Sequence, residues 1–172
     1  MKIRYGKKTD KKEYLKTQKE AFPNLDVKRD TKFFLEKVKN KEIFIVEEKG
    51  EYVGHSCFQK YLYDPPFAVS VFGQEMAVKK KFRGNGYGSA LRKRLIQYCK
   101  KNKIPVIYNA TGDYKGNKAI KFHKKHGFKV VGKLKEVDPN SEYKYGIKTA
   151  NTPNSIIMAL VAPTPIWERL KE

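Results

Sequence analysis

At 172 residues with 40% hydrophobic composition, the chain can bury one good core but is short for two, so a single domain over residues 1–172 is expected. The charged stretch Met1 to Lys12 argues against a signal peptide, and the longest apolar run, Ile156 to Ala162, is too short to cross a bilayer, so a cytoplasmic protein is expected. Cys57 and Cys99 are too few for a disulfide framework and stand at no metal-ligand spacing, while the net charge of +20 lies almost wholly in residues 79–103 and 114–135, which hold no acid.

In chain order, Lys2 to Tyr5 reads as a short strand. Tyr14, Leu15, Ala21 and Phe22 then recur at helical spacing after Asp10, until Pro23 and Asn24 break the pattern. Asp30 can cap a second helix with Phe34, Leu35 and Val38 facing inward, ended by Asn40. Ile43 to Glu47 and Tyr52 to Tyr61 read as a hairpin turning at Lys49-Gly50-Glu51. Beyond the Asp64-Pro65-Pro66 break, Ala68 to Val78 is a long apolar strand with one carboxylate, Glu75.

A glycine loop follows, and then Ser89 to Lys101 forms a helix with Leu91, Leu95, Tyr98 and Cys99 on one face and basic residues on the other. Ile104 to Ala110 is a short buried strand, Asn117 opens a helix through His126, and Gly127 can close it in the left-handed conformation. Phe128 to Val137 and Ser155 to Val161 complete the strands. The strand-helix-strand unit from Ala68 to Ala110 needs a crossover, so its strands should be parallel, whereas the flanking hairpins should be antiparallel. The expected fold is α/β (α+β): a mixed, largely antiparallel sheet of six or seven strands with about four helices on both faces.

Gly84, Gly86 and Gly88 remove side chains at alternate positions directly before a helix, so backbone N–H groups can converge on a phosphate at its positive end. Neither a P-loop nor the full G-x-G-x-x-G dinucleotide fingerprint is present, because Ser89 stands where the third glycine would be. The run Arg83-Gly84-Asn85-Gly86-Tyr87-Gly88 resembles the R/Q-x-x-G-x-G/A signature of the GNAT superfamily of N-acetyltransferases. A second block, Asn117 to Phe128, is similar to that family's N-x-x-A-x-x-x-Y-x-K-x-G-F helix, with His123 in place of the tyrosine and Gly116 rather than Asn117 in strict register.

The resemblance implies acetyl-coenzyme A as cofactor. It implies that the backbone of Met76, Ala77 and Val78 bonds the pantetheine arm, that amides from Arg83 or Gly84 through Asn85, Gly86, Tyr87 and Gly88 to Ser89 hold the pyrophosphate, and that Asn117 and Phe122 approach from the other side. Acetyl transfer to an amine needs a base, an oxyanion donor and a proton for the leaving thiolate. Glu75 is the candidate base, since it is the only carboxylate between Asp64 and Asp113; a main-chain N–H near Ala77 or Val78 is the candidate oxyanion donor. His123 stands where the family's tyrosine protonates sulfur, and an imidazolium would suit that task, with Tyr114 or solvent as the other source. His55, His126, Cys57 and Cys99 read as structural.

The first reading is therefore direct acetyl transfer to a primary amine, on a small molecule or peptide, in a ternary complex, by a monomer or homodimer with no membrane partner. The first two helices, the Tyr61 to Phe67 loop and the Asp138 to Pro153 segment would shape the acceptor site. A second reading, a basic nucleic-acid or ribosome-binding module with a degenerate cofactor site, rests on charge alone, with no recognition-helix, RNP or zinc signature beside it.

Overall fold

The computed structural model describes residues 1–22, 25–61, 70–112, 115, 117–134 and 155–161. Along the chain run β1 (Lys2–Tyr5), α1 (Lys11–Ala21), α2 (Val27–Lys39), β2 (Ile43–Glu48), β3 (Glu51–Tyr61), β4 (Ser70–Val78), α3 (Tyr87–Lys101), β5 (Val106–Gly112), α4 (Lys118–Lys125), β6 (Lys129–Leu134) and β7 (Ser155–Val161). The strands form one sheet ordered β1-β2-β3-β4-β5-β7-β6. Among the described residues only β4 and β5 pair in parallel, joined across the sheet by α3; every other pair is antiparallel, as the sequence pattern implies.

Two apolar clusters lie on the two faces. On one, α1 and α2 bury Tyr14 and Phe34 against Ile43, Ile45, Tyr52 and Cys57. On the other, Leu91, Leu95 and Cys99 of α3 pack on Phe44, Val46, Val53, Phe58, Val71 and Ile107, with Ile120 of α4 against the same cluster.

Three local expectations shift. Asp26, not Asp30, caps α2: its carboxylate accepts from the Arg29 N–H at 3.0 Å, and Asp30 is buried in the first turn. The buried stripe of α1 is Tyr14, Thr17 and Gln18, and Phe22 is 45% exposed, because it lies past the last helical residue, Ala21, on extended backbone. Arg92 is not on the solvent face of α3; it is 3% exposed and turned into the sheet. The expected Pro23-Asn24 break, the Tyr61 to Phe67 loop beyond Tyr61, and the Asp138 to Pro153 segment lie outside the described residues.

Candidate functional site

The pairing of β4 with β5 runs from Ser70↔Val106 to Gly73↔Asn109 and stops there. β4 continues to Val78 against β3 alone, while β5 continues against β7 through Gly112↔Ser155. The two central strands therefore part beyond Gly73 and Asn109, leaving one edge of β4 unpaired among the described residues. Lys79 N–H donates to Val53 at 2.9 Å, and ladder bonds alternate in an antiparallel pair. By that alternation Ala77 is bonded to β3, and the amides of Met76 and Val78 face the gap.

β4 also carries an extra residue, since Ser56 pairs with Met76 but Phe58 pairs with Gly73. This bulge falls at Gln74 and Glu75, and a bulge re-aims the side chains it carries. Glu75 turns toward α1, where its Oε2 accepts from the Tyr14 hydroxyl at 3.1 Å and from Gln18 Nε2 at 2.5 Å. Behind it the network continues: His55 Nε2 lies 3.2 Å from Gln18 Oε1, and Tyr52 hydroxyl lies 2.7 Å from His55 Nδ1. Burial pushes the Glu75 carboxyl above its ordinary range and the charge of Asp30 adds to this, while the bonds from Tyr14 and Gln18 pull the other way. Burial alone pushes His55 down to about 3, so it is neutral and structural as expected.

At the carboxyl end of β4, Arg83 Nε donates to Val78 C=O at 2.9 Å and its Nη2 reaches Glu20 C=O at 3.4 Å, tying the loop to the end of α1. Gly84 and Gly86 have φ of +87° and +83°, a region that side chains disfavour, and nothing stands within 4 Å of where a Cβ would be. Ala90 N–H is the first to bond back into α3, to Gly86 C=O at 3.0 Å. No side chain caps this end, so the amides of Tyr87, Gly88 and Ser89 have no acceptor among the described residues. Phe122 of α4 lies beside this first turn, 3.8 Å from a Cβ built on Gly88. Asn85 is occupied with Phe82 C=O at 3.4 Å, and the Tyr87 hydroxyl with Glu48 at 3.3 Å.

Asn117 caps α4, accepting from Ala119 N–H at 2.8 Å and donating to Thr111 Oγ1 at 2.9 Å and Gly112 C=O at 2.6 Å. Its carboxamide is thus engaged within the chain. His123 is buried on the α3 side of the sheet, opposite to the face on which Glu75 meets α1. Burial first, then the charges of Arg92 and His126, push its pKa down to about 3. The expected imidazolium is therefore a neutral imidazole at neutral pH. Tyr114 lies outside the described residues.

Sequence reasoning placed Tyr14 on its helix without its bond to Glu75, and did not single out Gln18, Arg92 or Asn109. The one available signal was spacing: Arg92 stands three residues before Leu95 and seven before Cys99, on the stripe the helix buries. Of the two cysteines, both are free and buried, as expected.

Residues 10–128 match the family model described as "Acetyltransferase (GNAT) family". Solved structures of the same fold include a complex of Arabidopsis thaliana Naa50 with the bisubstrate analogue CoA-Ac-MVNAL (TM-score 0.71, 18% identity, covering 92% of this chain and 97% of that one). The protein yncA from Salmonella typhimurium, solved with its cofactor acetyl-CoA, aligns at TM-score 0.70 and 19% identity over 96% of this chain and 95% of its own. The Escherichia coli ribosomal-protein-S18-alanine N-acetyltransferase aligns at TM-score 0.70 and 18% identity over 96% of each chain. Comparison with curated proteins gives no match.

Proposed function

The chain belongs to the GNAT family of acetyltransferases, and on that premise we propose that it moves the acetyl group of acetyl-coenzyme A to a primary amine by direct transfer in a ternary complex. The observation that carries the reading is the parting of β4 from β5 beside an uncapped helix end. The residues fit the cofactor: amides from Gly84 to Ser89 suit a pyrophosphate, with Arg83 bracing their loop. The gap-facing amides of Met76 and Val78, with Ala77 between them, suit the pantetheine arm. Phe122 would pack on the opposite side, and Asn117 would support it by holding the start of α4.

When bound, acetyl-coenzyme A supplies an activated thioester, whose carbonyl carbon gains a bond to the amine nitrogen as its bond to sulfur breaks. Glu75 takes the proton that the amine must lose, and its raised carboxyl brings its basicity toward neutral pH. The Val78 amide is the better placed of the two oxyanion donors considered, because the Ala77 amide is spent on β3. His123, at the place of the family's tyrosine, would face the leaving group from the α3 side. The acceptor is an amine on a small molecule or a peptide; the names of several structural neighbours carry a ribosomal-protein alanine or the peptide MVNAL. The nucleic-acid reading gains no support from the family match.

Thermal unfolding with acetyl-coenzyme A, coenzyme A and ATP tests the cofactor assignment. Ligand at 100 times its Kd adds about 2.7 kcal/mol, a rise of roughly 5–10 °C in a domain of this size. Both coenzyme A species should give that rise and ATP little; no rise with either overturns the assignment.

A further inference from the structure

Arg92 is a buried guanidinium with no carboxylate partner among the described residues. It is 3% exposed, and its Nε has no acceptor among the described residues. Its Nη1 donates to Asn109 Oδ1 at 2.8 Å, its Nη2 lies 3.5 Å from His123 Nδ1, and its plane sits 5.0 Å over the Phe128 ring. Burying a cation without a counter-ion is costly, and a leucine or methionine would pack here at no such cost. The charge therefore calls for a use.

Every polar atom in this cluster has its direction forced. The Gly73 carbonyl can only accept, so Asn109 presents its Nδ2 to it, at 2.6 Å. Asn109 Oδ1 is then left to accept from Arg92. Arginine can only donate, so His123 Nδ1 must accept, and the single proton of its neutral ring sits on Nε2. That Nε2–H bonds to no described residue, and it is not among the side-chain nitrogens sealed from solvent, so it stays open to a ligand. The chain of hydrogen bonds ends on the carbonyl of Gly73, the last β4 residue before the strands part, and a Cβ there would collide with Asn109.

We infer that Arg92 is a positioning residue that holds His123 as a neutral Nε2–H donor toward the departing sulfur. This rests on the acetyl-coenzyme A reading. In it, His123 transfers no proton: the Nε2–H bonds the thiolate as the sulfur takes the electron pair of the breaking C–S bond, the buried guanidinium behind the ring favours that negative charge, and solvent protonates the thiolate afterwards. Among the described residues, the charged or titratable groups acting on His123 are Arg92 from α3 and His126 from its own helix, with Cys99 acting in turn on Arg92; none of these is a carboxylate.

Nitrogen-15 NMR of the histidine rings in the free protein tests the first half without any ligand. His123 should show the Nε2–H tautomer and no titration between pH 5 and 8, and Arg92→Met should release the tautomer and raise the pKa. An Nδ1–H tautomer or an imidazolium near pH 7 in the unmodified protein overturns the inference, whether or not Arg92→Met folds. The second half is read from the ultraviolet absorbance of the thiolate of bound coenzyme A against pH. Its thiol should titrate about one unit below free coenzyme A, a tenfold gain in thiolate, and Arg92→Met or His123→Phe should remove the gain. An unshifted thiol in a protein that binds coenzyme A overturns the role toward sulfur. Absence of coenzyme A binding would instead overturn the cofactor reading and leave the tautomer result standing.

Discussion

Glu75 is held by two donors that converge on one of its oxygens, the Tyr14 hydroxyl and the Gln18 amide. They stabilise the ionised form, while burial and the nearby Asp30 oppose it, and the balance lies on the raised side. A base must be ionised, so activity should fall as pH drops through this raised carboxyl, with the acid limb of kcat/KM above the ordinary carboxylate range. Tyr14→Phe removes one stabilising donor and should move that limb further up. Glu75→Gln should cut kcat by roughly 10²–10⁴-fold while the thermal shift with acetyl-coenzyme A is kept; unchanged turnover in Glu75→Gln removes it as base. At this scale Glu75 was legible because it is the one carboxylate in a long stretch of chain. Its partners were not, because Tyr14 and Gln18 reach it from 61 and 57 residues away. The depressed pKa of His123 was not legible for the same reason: burial among residues distant in sequence sets it first, and Arg92 adds to it across 31 residues.

The strands and helices themselves were readable, since each carries its own period of apolar residues and its own punctuation. The glycine loop and Gly127 were readable too, as the observed left-handed backbone at Gly84, Gly86 and Gly127 shows. The α2 cap was misplaced because Asp26 and Asp30 are chemically equivalent choices, and only the bond to Arg29 N–H separates them. The β4 bulge left no trace in composition, because it depends on register with β3. Two neighbouring glycines of the loop should respond to alanine with opposite signs. Gly86 is in the left-handed region, where a side chain costs roughly 1–2 kcal/mol, so Gly86→Ala should destabilise by about that much. Gly88 is inside α3 with room for a methyl group. There alanine is the better helix former by about 1 kcal/mol, so Gly88→Ala should stabilise. Urea denaturation of the two variants checks this; equal effects would mean that the loop is not wound as described.

On the scale of the whole molecule, the excess charge is carried on and around α3 and α4, which pack on the same face of the sheet. Such a one-sided field suits an anionic ligand at the end of α3. Inside, the molecule instead keeps two rings uncharged, and that has a measurable cost in acid. His55 and His123 both titrate near 3 when folded, against 6.5 for an unhindered histidine. An unfolded chain therefore binds two protons that the folded one refuses. Stability from this source is complete above about pH 6.5 and is lost as pH falls from there toward 3. Each ring contributes a slope of about 1.4 kcal/mol per pH unit, so unfolding free energy should drop by roughly 3–4 kcal/mol between pH 7 and 5. Glu75 works in the opposite sense: its raised carboxyl takes up a proton sooner in the folded state and offsets part of the loss at the lower end. Urea titrations at pH 7, 6 and 5 should show the drop, and His123→Phe should remove about half of it by deleting one of the two protons. If the drop is the same in His123→Phe as in the parent, His123 is charged when folded, and both its burial and its pairing with Arg92 would have to be redrawn.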